Sequence, residues 1–218
     1  VDRSHHVLWG TVVAVIAAAL FMVLGRSVGS APDPDVLATW EHALAGHSAL
    51  VAWWLTWSCY VFALVPIAIA LLIVAWRAPA WRARVIFSLI VLVLCWRGAD
   101  LLQHVFARPR RLDWIVKHET AFSYPSSHAA IATGFYAMWG VMFYLSELRA
   151  STRKVVGTLF ILLAVAICWA RLALGAHYIT DVVGGALLAV AIVAAGVAIS
   201  PRPVLRPQAA GRVAHAAE

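Results

Sequence analysis

Charge is scarce in this 218-residue chain: Asp, Glu, Lys and Arg make up 12% of it, while 63% is hydrophobic and the mean hydropathy is +0.86. Soluble domains carry roughly 25% charged residues, so this composition excludes an ordinary water-soluble domain. Lysine is nearly missing, with Lys117 and Lys154 beside 15 arginines. The net charge is +7, but the basic residues are dispersed through short connections and do not gather on one face, which excludes a nucleic-acid surface. Cysteine is limited to Cys59, Cys95 and Cys168, each inside an apolar run. They read as small buried hydrophobes, and a disulfide framework, a CxxC metal site and a redox role are excluded. No repeat of 20–50 residues is present, so the chain is not a solenoid.

What fills the sequence instead is a series of apolar runs. Six reach the roughly 20 residues needed to cross a bilayer, at 7–25, 50–75, 85–105, 128–145, 155–172 and 179–199. The first is too long for the apolar core of a signal peptide and is read as a helix. Lys and Arg in the short loops set the orientation. With the N-terminus inside, the inner segments hold Arg3, Arg77, Arg82, Arg84, Arg149, Arg153, Lys154, Arg202, Arg206 and Arg212. The outer ones hold Arg26, Arg108, Arg110, Arg111, Lys117 and Arg171. Ten against six places both termini in the cytoplasm, and four of the six outer charges cluster beside one loop.

Between the first two runs, Asp33-Pro34 offers a helix start, followed by Val36, Leu37, Trp40 and Leu44 on one face. That pattern suits a short amphipathic helix in the outer interface and leaves a plain loop open. The expected fold class is therefore an all-α integral membrane protein. Six transmembrane helices form a bundle with a short interfacial amphipathic helix. Residues 1–199 make the membrane domain, and residues 200–218, rich in Pro, Arg and Ala, make a disordered cytoplasmic tail.

Ionisable groups in or beside membrane spans are costly and mark candidate function. Arg97 and Asp100, spaced i,i+3, read as neutralising each other. His177 and Asp181, spaced i,i+4 at the start of the last run, share a helix face. Such a pair is either a structural hydrogen bond or an imidazole oriented by a carboxylate, as a nucleophile or general base requires. Pro125-Ser126-Ser127-His128 opens the fourth run, where a serine suits the N-cap. In the six-span topology, Arg108, Arg110, Arg111, Ser126, Ser127, His128, Arg171, His177 and Asp181 converge at one membrane face. Guanidiniums offering paired N–H donors, an open helix N-terminus and two histidines suit a phosphoryl group. A two-His, one-carboxylate metal site is the rival set, and the surrounding arginines oppose a dication there.

These residues resemble the type-2 phosphatidic acid phosphatase superfamily of integral membrane lipid phosphatases. The family's third block, Ser-Arg, five residues, His, three residues, Asp, reads here as Ala170-Arg171, His177 and Asp181. Its Pro-Ser-Gly-His block reads Pro125-Ser126-Ser127-His128. Its first block, Lys, six residues, Arg-Pro, aligns as Gln103 and Arg110-Arg111. The chain departs from the family at Gln103, Arg111, Ser127 and Ala170.

The resemblance implies a lipid phosphatase that needs no metal or other cofactor. By it, His177 is the nucleophile, Asp181 orients it, and His128 protonates the leaving oxygen. Arg110, Arg171, Ser126, Ser127 and Gln103 hold the phosphoryl oxygens, with Arg108 or Arg111 supplying the charge missing at Gln103. The partners expected are a lipid phosphate and the bilayer, at an extracytoplasmic site in the plasma membrane. Transfer to a lipid or sugar acceptor, and a non-catalytic lipid-binding relative, are the alternatives. The outer loop, with Lys117, His118 and Glu119, is expected to select the head group of a glycerophospholipid or a polyprenyl-linked phosphate used in building a cell envelope.

Overall fold

The computed structural model describes residues 3–29, 31–111, 121–200 and 204–205. Among them every regular element is helical. In chain order these are α1 (Arg3–Val28), α2 (Asp35–Leu44), α3 (Ala49–Trp57), α4 (Val61–Arg77) and α5 (Pro79–Phe106). There follow α6 (Ser127–Ile131), a π-helical stretch (Ala132–Ala137), α7 (Met138–Tyr144), α8 (Ala150–Ala173) and α9 (Ile179–Ile199). Large apolar side chains point outward along them: Trp9 is 66% exposed and Ile199 83%. Such a surface is stable only against lipid, so the chain is a multi-pass membrane protein.

Four helices among the described residues are long and apolar enough to cross a membrane: α1 from Val7, α5, α8 and α9. The run expected at 50–75 is instead two helices, α3 and α4, bent by 45° at a short break. The pair makes a fifth span if counted as one. The run expected at 128–145 is helical from Ser127 to Tyr144, but its middle widens to π geometry. It falls outside that count, so four or five of the six expected spans are matched by helices long and apolar enough to cross. Arg97 and Asp100 do pair with each other, at 3.4 Å on an exposed face. Most of the expected tail and the loop bearing Lys117, His118 and Glu119 lie outside the described residues.

Small residues let the helices approach closely, as packing in lipid requires. A Cβ on Gly140 of α7 would lie 2.9 Å from the Gly157 carbonyl of α8. α1 runs along α9, α3 packs on α8 and α4 on α5. The core between them is built from Val91, Cys95, Ile131, Phe135, Met142 and Ile167. All three cysteines are free, with Cys59 and Cys95 buried.

The amphipathic element forms as α2, though turned differently from the expectation. Val36 and Trp40 face outward, while Glu41, unremarkable in the sequence, is 1% exposed. Its burial follows from its partners, since its carboxylate accepts the backbone N–H of Ile179 and a guanidinium N–H of Arg111.

Candidate active site

Local chain geometry delivers each polar group to one end of the bundle. α5 ends at Ala107 in the left-handed region, φ 50°, and Arg108 precedes a proline, which disfavours further helix. The chain therefore turns sharply and lays Arg108, Arg110 and Arg111 across the start of α9. Ser126 caps α6 as its residue type suggests, its Oγ accepting the Ala129 N–H at 3.4 Å. Its own N–H donates to the Asp181 carbonyl at 3.0 Å, which ties this loop to α9. Gly184 and Gly185 make that approach possible: a Cβ on Gly185 would lie 2.3 Å from the Ser126 carbonyl oxygen, and one on Gly184 2.3 Å from the Tyr124 ring. Gln103, on the buried face of α5, donates from Nε2 to the Pro125 carbonyl at 2.9 Å and secures the loop from the other side.

At the centre stands His177, buried just before α9. Arg110 brings Nη1 to 3.2 Å from His177 Nε2, and its Nη1 and Nε also donate to the carbonyls of Ala176 and Ala121. A guanidinium has no acceptor, so Nε2 must carry the lone pair and Nδ1 the proton. Nδ1 lies 3.4 Å from Asp181 Oδ2, close enough for an ionic attraction to an imidazolium. Burial, then the charges of Arg110 and Arg171, hold His177 well below the ordinary imidazole value, so it is neutral near pH 7. Arg110 and Arg171 each lie within electrostatic range of both His128 and His177, and the two histidines of each other. His128 is 8% exposed, and its Nε2 is buried with no hydrogen-bond partner among the described residues. Arg171 is fully buried and donates from Nη1 to Thr56 Oγ1 at 3.1 Å.

Two arginines expected at the phosphate are engaged elsewhere. Arg108 is wholly buried, and all five of its N–H groups meet acceptors: Asp181, Thr180, Asp33 and, twice, the Ala31 carbonyl. Its ion pairs measure 2.8 Å to Asp33 and 2.7 Å to Asp181, leaving no N–H for a phosphoryl oxygen. The direct contact expected of Arg108 is thus corrected to one made with the protein. Arg111 donates to Glu41 at 2.7 Å. Gln103, standing where the resembled family has lysine, is likewise turned to the Pro125 carbonyl and holds the loop.

Ser123, Thr180 and Glu41, which no motif marked, join the network with Asp33, read from the sequence only as a helix start. Ser123 donates its hydroxyl to Asp181, Thr180 donates its hydroxyl to Asp33, and Asp33 and Glu41 close the network from α2 and the turn before it. The acidic residues eight positions apart at Asp33 and Glu41 were the one available signal, masked by the apolar face between them. Among the described residues no three His, Cys, Asp or Glu side chains gather as a metal site.

Residues 101–204 match the PAP2 superfamily. The fold is similar to that in the crystal structure of the first transmembrane PAP2 type phosphatidylglycerolphosphate phosphatase from Bacillus subtilis. The TM-score is 0.67 at 20% identity, over 83% of this chain and 92% of that one. No curated protein matches the chain. The matched stretch holds Arg110, His128, Arg171, His177 and Asp181, so the resemblance read from the three sequence blocks is borne out by the match of residues 101–204 to the PAP2 superfamily.

Proposed function

We propose that the protein is a membrane lipid phosphatase that hydrolyses a phosphomonoester or diphosphate on a lipid through a phosphohistidine. The observation that carries this reading is the Arg110–His177 contact, which fixes a lone pair on a neutral, buried Nε2 beside a guanidinium. A nucleophile and an anion-binding group thereby share one point.

In the proposed reaction, Arg110 and Arg171 take the phosphoryl oxygens, with the Ser126–Ser127 helix start as a further source of N–H donors. His177 Nε2 forms a bond to phosphorus as the bond from phosphorus to the lipid oxygen breaks. His128 gives its Nε2 proton to that oxygen. The phosphorylated imidazole keeps its Nδ1 proton and is cationic, and the Asp181 carboxylate faces that charge. Water then attacks phosphorus, His128 takes its proton, and the P–N bond breaks to return neutral His177. The arginines stabilise the charge spread over the equatorial oxygens, which is where phosphoryl transfer gains most.

The apolar outer surface suits a substrate with its head at the membrane interface and its tail in lipid, and the loop charges, counted over the six expected spans, favour a site on the extracytoplasmic side. The similar fold is that of a phosphatidylglycerolphosphate phosphatase, and a lipid phosphate of that kind heads the candidate panel. Phosphate release from lipid phosphates in EDTA, with wild type beside His177→Ala, tests the reading. Activity lost by roughly 10⁴-fold or more in the variant supports it. Activity that survives the substitution, or none in wild type across the panel, sinks it.

A further inference from the structure

We propose that Asp33 and Glu41 are positioning residues for the His177–Asp181 pair, acting through Arg108 and Arg111; this rests on the phosphatase reading above. Neither carboxylate touches the imidazole. Each acts on the start of α9 in two ways, through its backbone and through the arginines that cross it.

The backbone link comes first. The opening N–H groups of a helix have no partner within it. In α9 the Tyr178 N–H is met by Asp181 of the same chain segment at 2.9 Å. The next two are met from α2 and the turn before it: Ile179 N donates to Glu41 Oε1 at 2.7 Å and Thr180 N to Asp33 Oδ2 at 3.1 Å. The N-terminus that carries both His177 and Asp181 is therefore anchored by residues 147 and 138 positions away in sequence.

The electrostatic link is stronger. Arg108 is suspended between Asp33 and Asp181, with all three side chains at 0% exposure. A guanidinium shared in this way cannot close on one carboxylate without leaving the other. It therefore fixes Asp181 through Oδ1, while Oδ2 accepts from the Ser123 hydroxyl and the Tyr178 N–H and lies 3.4 Å from His177 Nδ1. Arg111 pairs with Glu41 at 2.7 Å and lies over the ring of Tyr178, the residue that caps α9. With Arg108 answered by Asp33 as well as by Asp181, the charge of Asp181 is available to the imidazolium formed when Nε2 bonds to phosphorus. Without Asp33, Asp181 would be the carboxylate left to answer Arg108, and it would be drawn off the histidine. α2 turns Val36 and Trp40 outward while Glu41 faces in beside the half-buried Leu37, Ala38 and Leu44.

The test is steady-state kinetics of the full chain in lipid nanodiscs, comparing wild type with Asp33→Asn and Glu41→Gln across a pH series. Displacing a catalytic group by about 1 Å costs on the order of 100-fold, so kcat is expected to fall by that order while KM stays near wild type. The acid limb of kcat/KM is expected to move to lower pH, because the imidazole loses part of the carboxylate field that favours its proton. A purely structural role lowers the active fraction and leaves that limb in place. Wild-type kcat in both variants, or lost kcat with an unmoved limb, overturns the proposal. Failure of both variants to fold overturns it as well, since the carboxylates would then belong to the fold and not to the site. Inactive wild type brings down the phosphatase reading, and this proposal with it, and is recognised from that arm alone.

Discussion

The two ends of α9 are built on opposite chemistry. At its N-terminus, Asp33, Glu41, Arg108, Arg171, His177 and Asp181 are all at most 5% exposed, and directional bonds of 2.7–3.1 Å set their positions. Further along, α9 meets α1 and the π-helical stretch around a cavity of about 560 Å³ lined by Trp9, Val13, Ala137, Val193 and Val197, among others. Apolar contact there is non-directional and depends on area and volume alone. The polar end should tolerate almost no change, and the apolar end a good deal. A buried ion pair that loses one member leaves an uncompensated charge, which costs about 3–5 kcal/mol, whereas a volume-conserving apolar swap costs under about 1.5 kcal/mol.

The sharpest way to test that contrast is Asp181→Asn. It keeps the shape but removes the charge that Arg108 and the imidazole face. Loss of the orienting carboxylate in a comparable constellation costs about 10⁴-fold, and kcat should fall by that order, measured as phosphate release. A fall of less than tenfold would separate Asp181 from the chemistry. Next in size is Gly185→Ala. Its new Cβ would meet the Ser126 carbonyl at 2.3 Å, so the loop carrying His128 must move. A loss of about 100-fold in kcat, with about 1–3 kcal/mol of destabilisation from overpacking, is the expected outcome. Unchanged kinetics would show that loop to be free of α9.

A smaller effect separates the ends by pH. Burial, joined by the neighbouring Asp33 and opposed by the Ile179 N–H and Arg111, pushes the Glu41 carboxyl from 4.5 up to about 7. Between those values the folded protein holds a proton that the unfolded chain has released, so stability falls as pH rises through the window. Thermal unfolding across that range should show the decline in wild type and its reduction in Glu41→Gln. An equal decline in both would exclude Glu41 as its source. Smallest of all is Val193→Leu in the wall of the apolar cavity, expected to leave kcat within about twofold and stability within about 1.5 kcal/mol. A large kinetic loss there would erase the distinction between the two ends.

Much of the site was legible because its signals are local. His177 and Asp181 lie one helical turn apart, and the Pro125–His128 block is contiguous, so spacing alone brings each set together. The choice among the arginines was not legible. Arg108, Arg110 and Arg111 are near neighbours in sequence with the same chemistry, yet one faces His177, one bridges Asp33 and Asp181, and one binds Glu41. Gln103 was read as a weakened phosphate contact, and its amide proves to hold a backbone carbonyl. The run at 50–75 was legible as apolar but not as bent, since hydropathy carries no information about where a helix breaks.

By itself the sequence determined the solvent and the family resemblance. Apolar runs of membrane-crossing length leave helices as the available structure, because a lipid-exposed backbone must satisfy its own hydrogen bonds. The motif spacings then located the histidines, the aspartate and the arginines. Tertiary structure alone decided which charge answers which, and that Glu41 of α2 meets the start of α9. Those pairings join residues 75 and 138 positions apart, Arg108 with Asp33 and Glu41 with Ile179. A hydrogen bond depends on ångström distances in the folded chain, and at such separations no local pattern of residues encodes them.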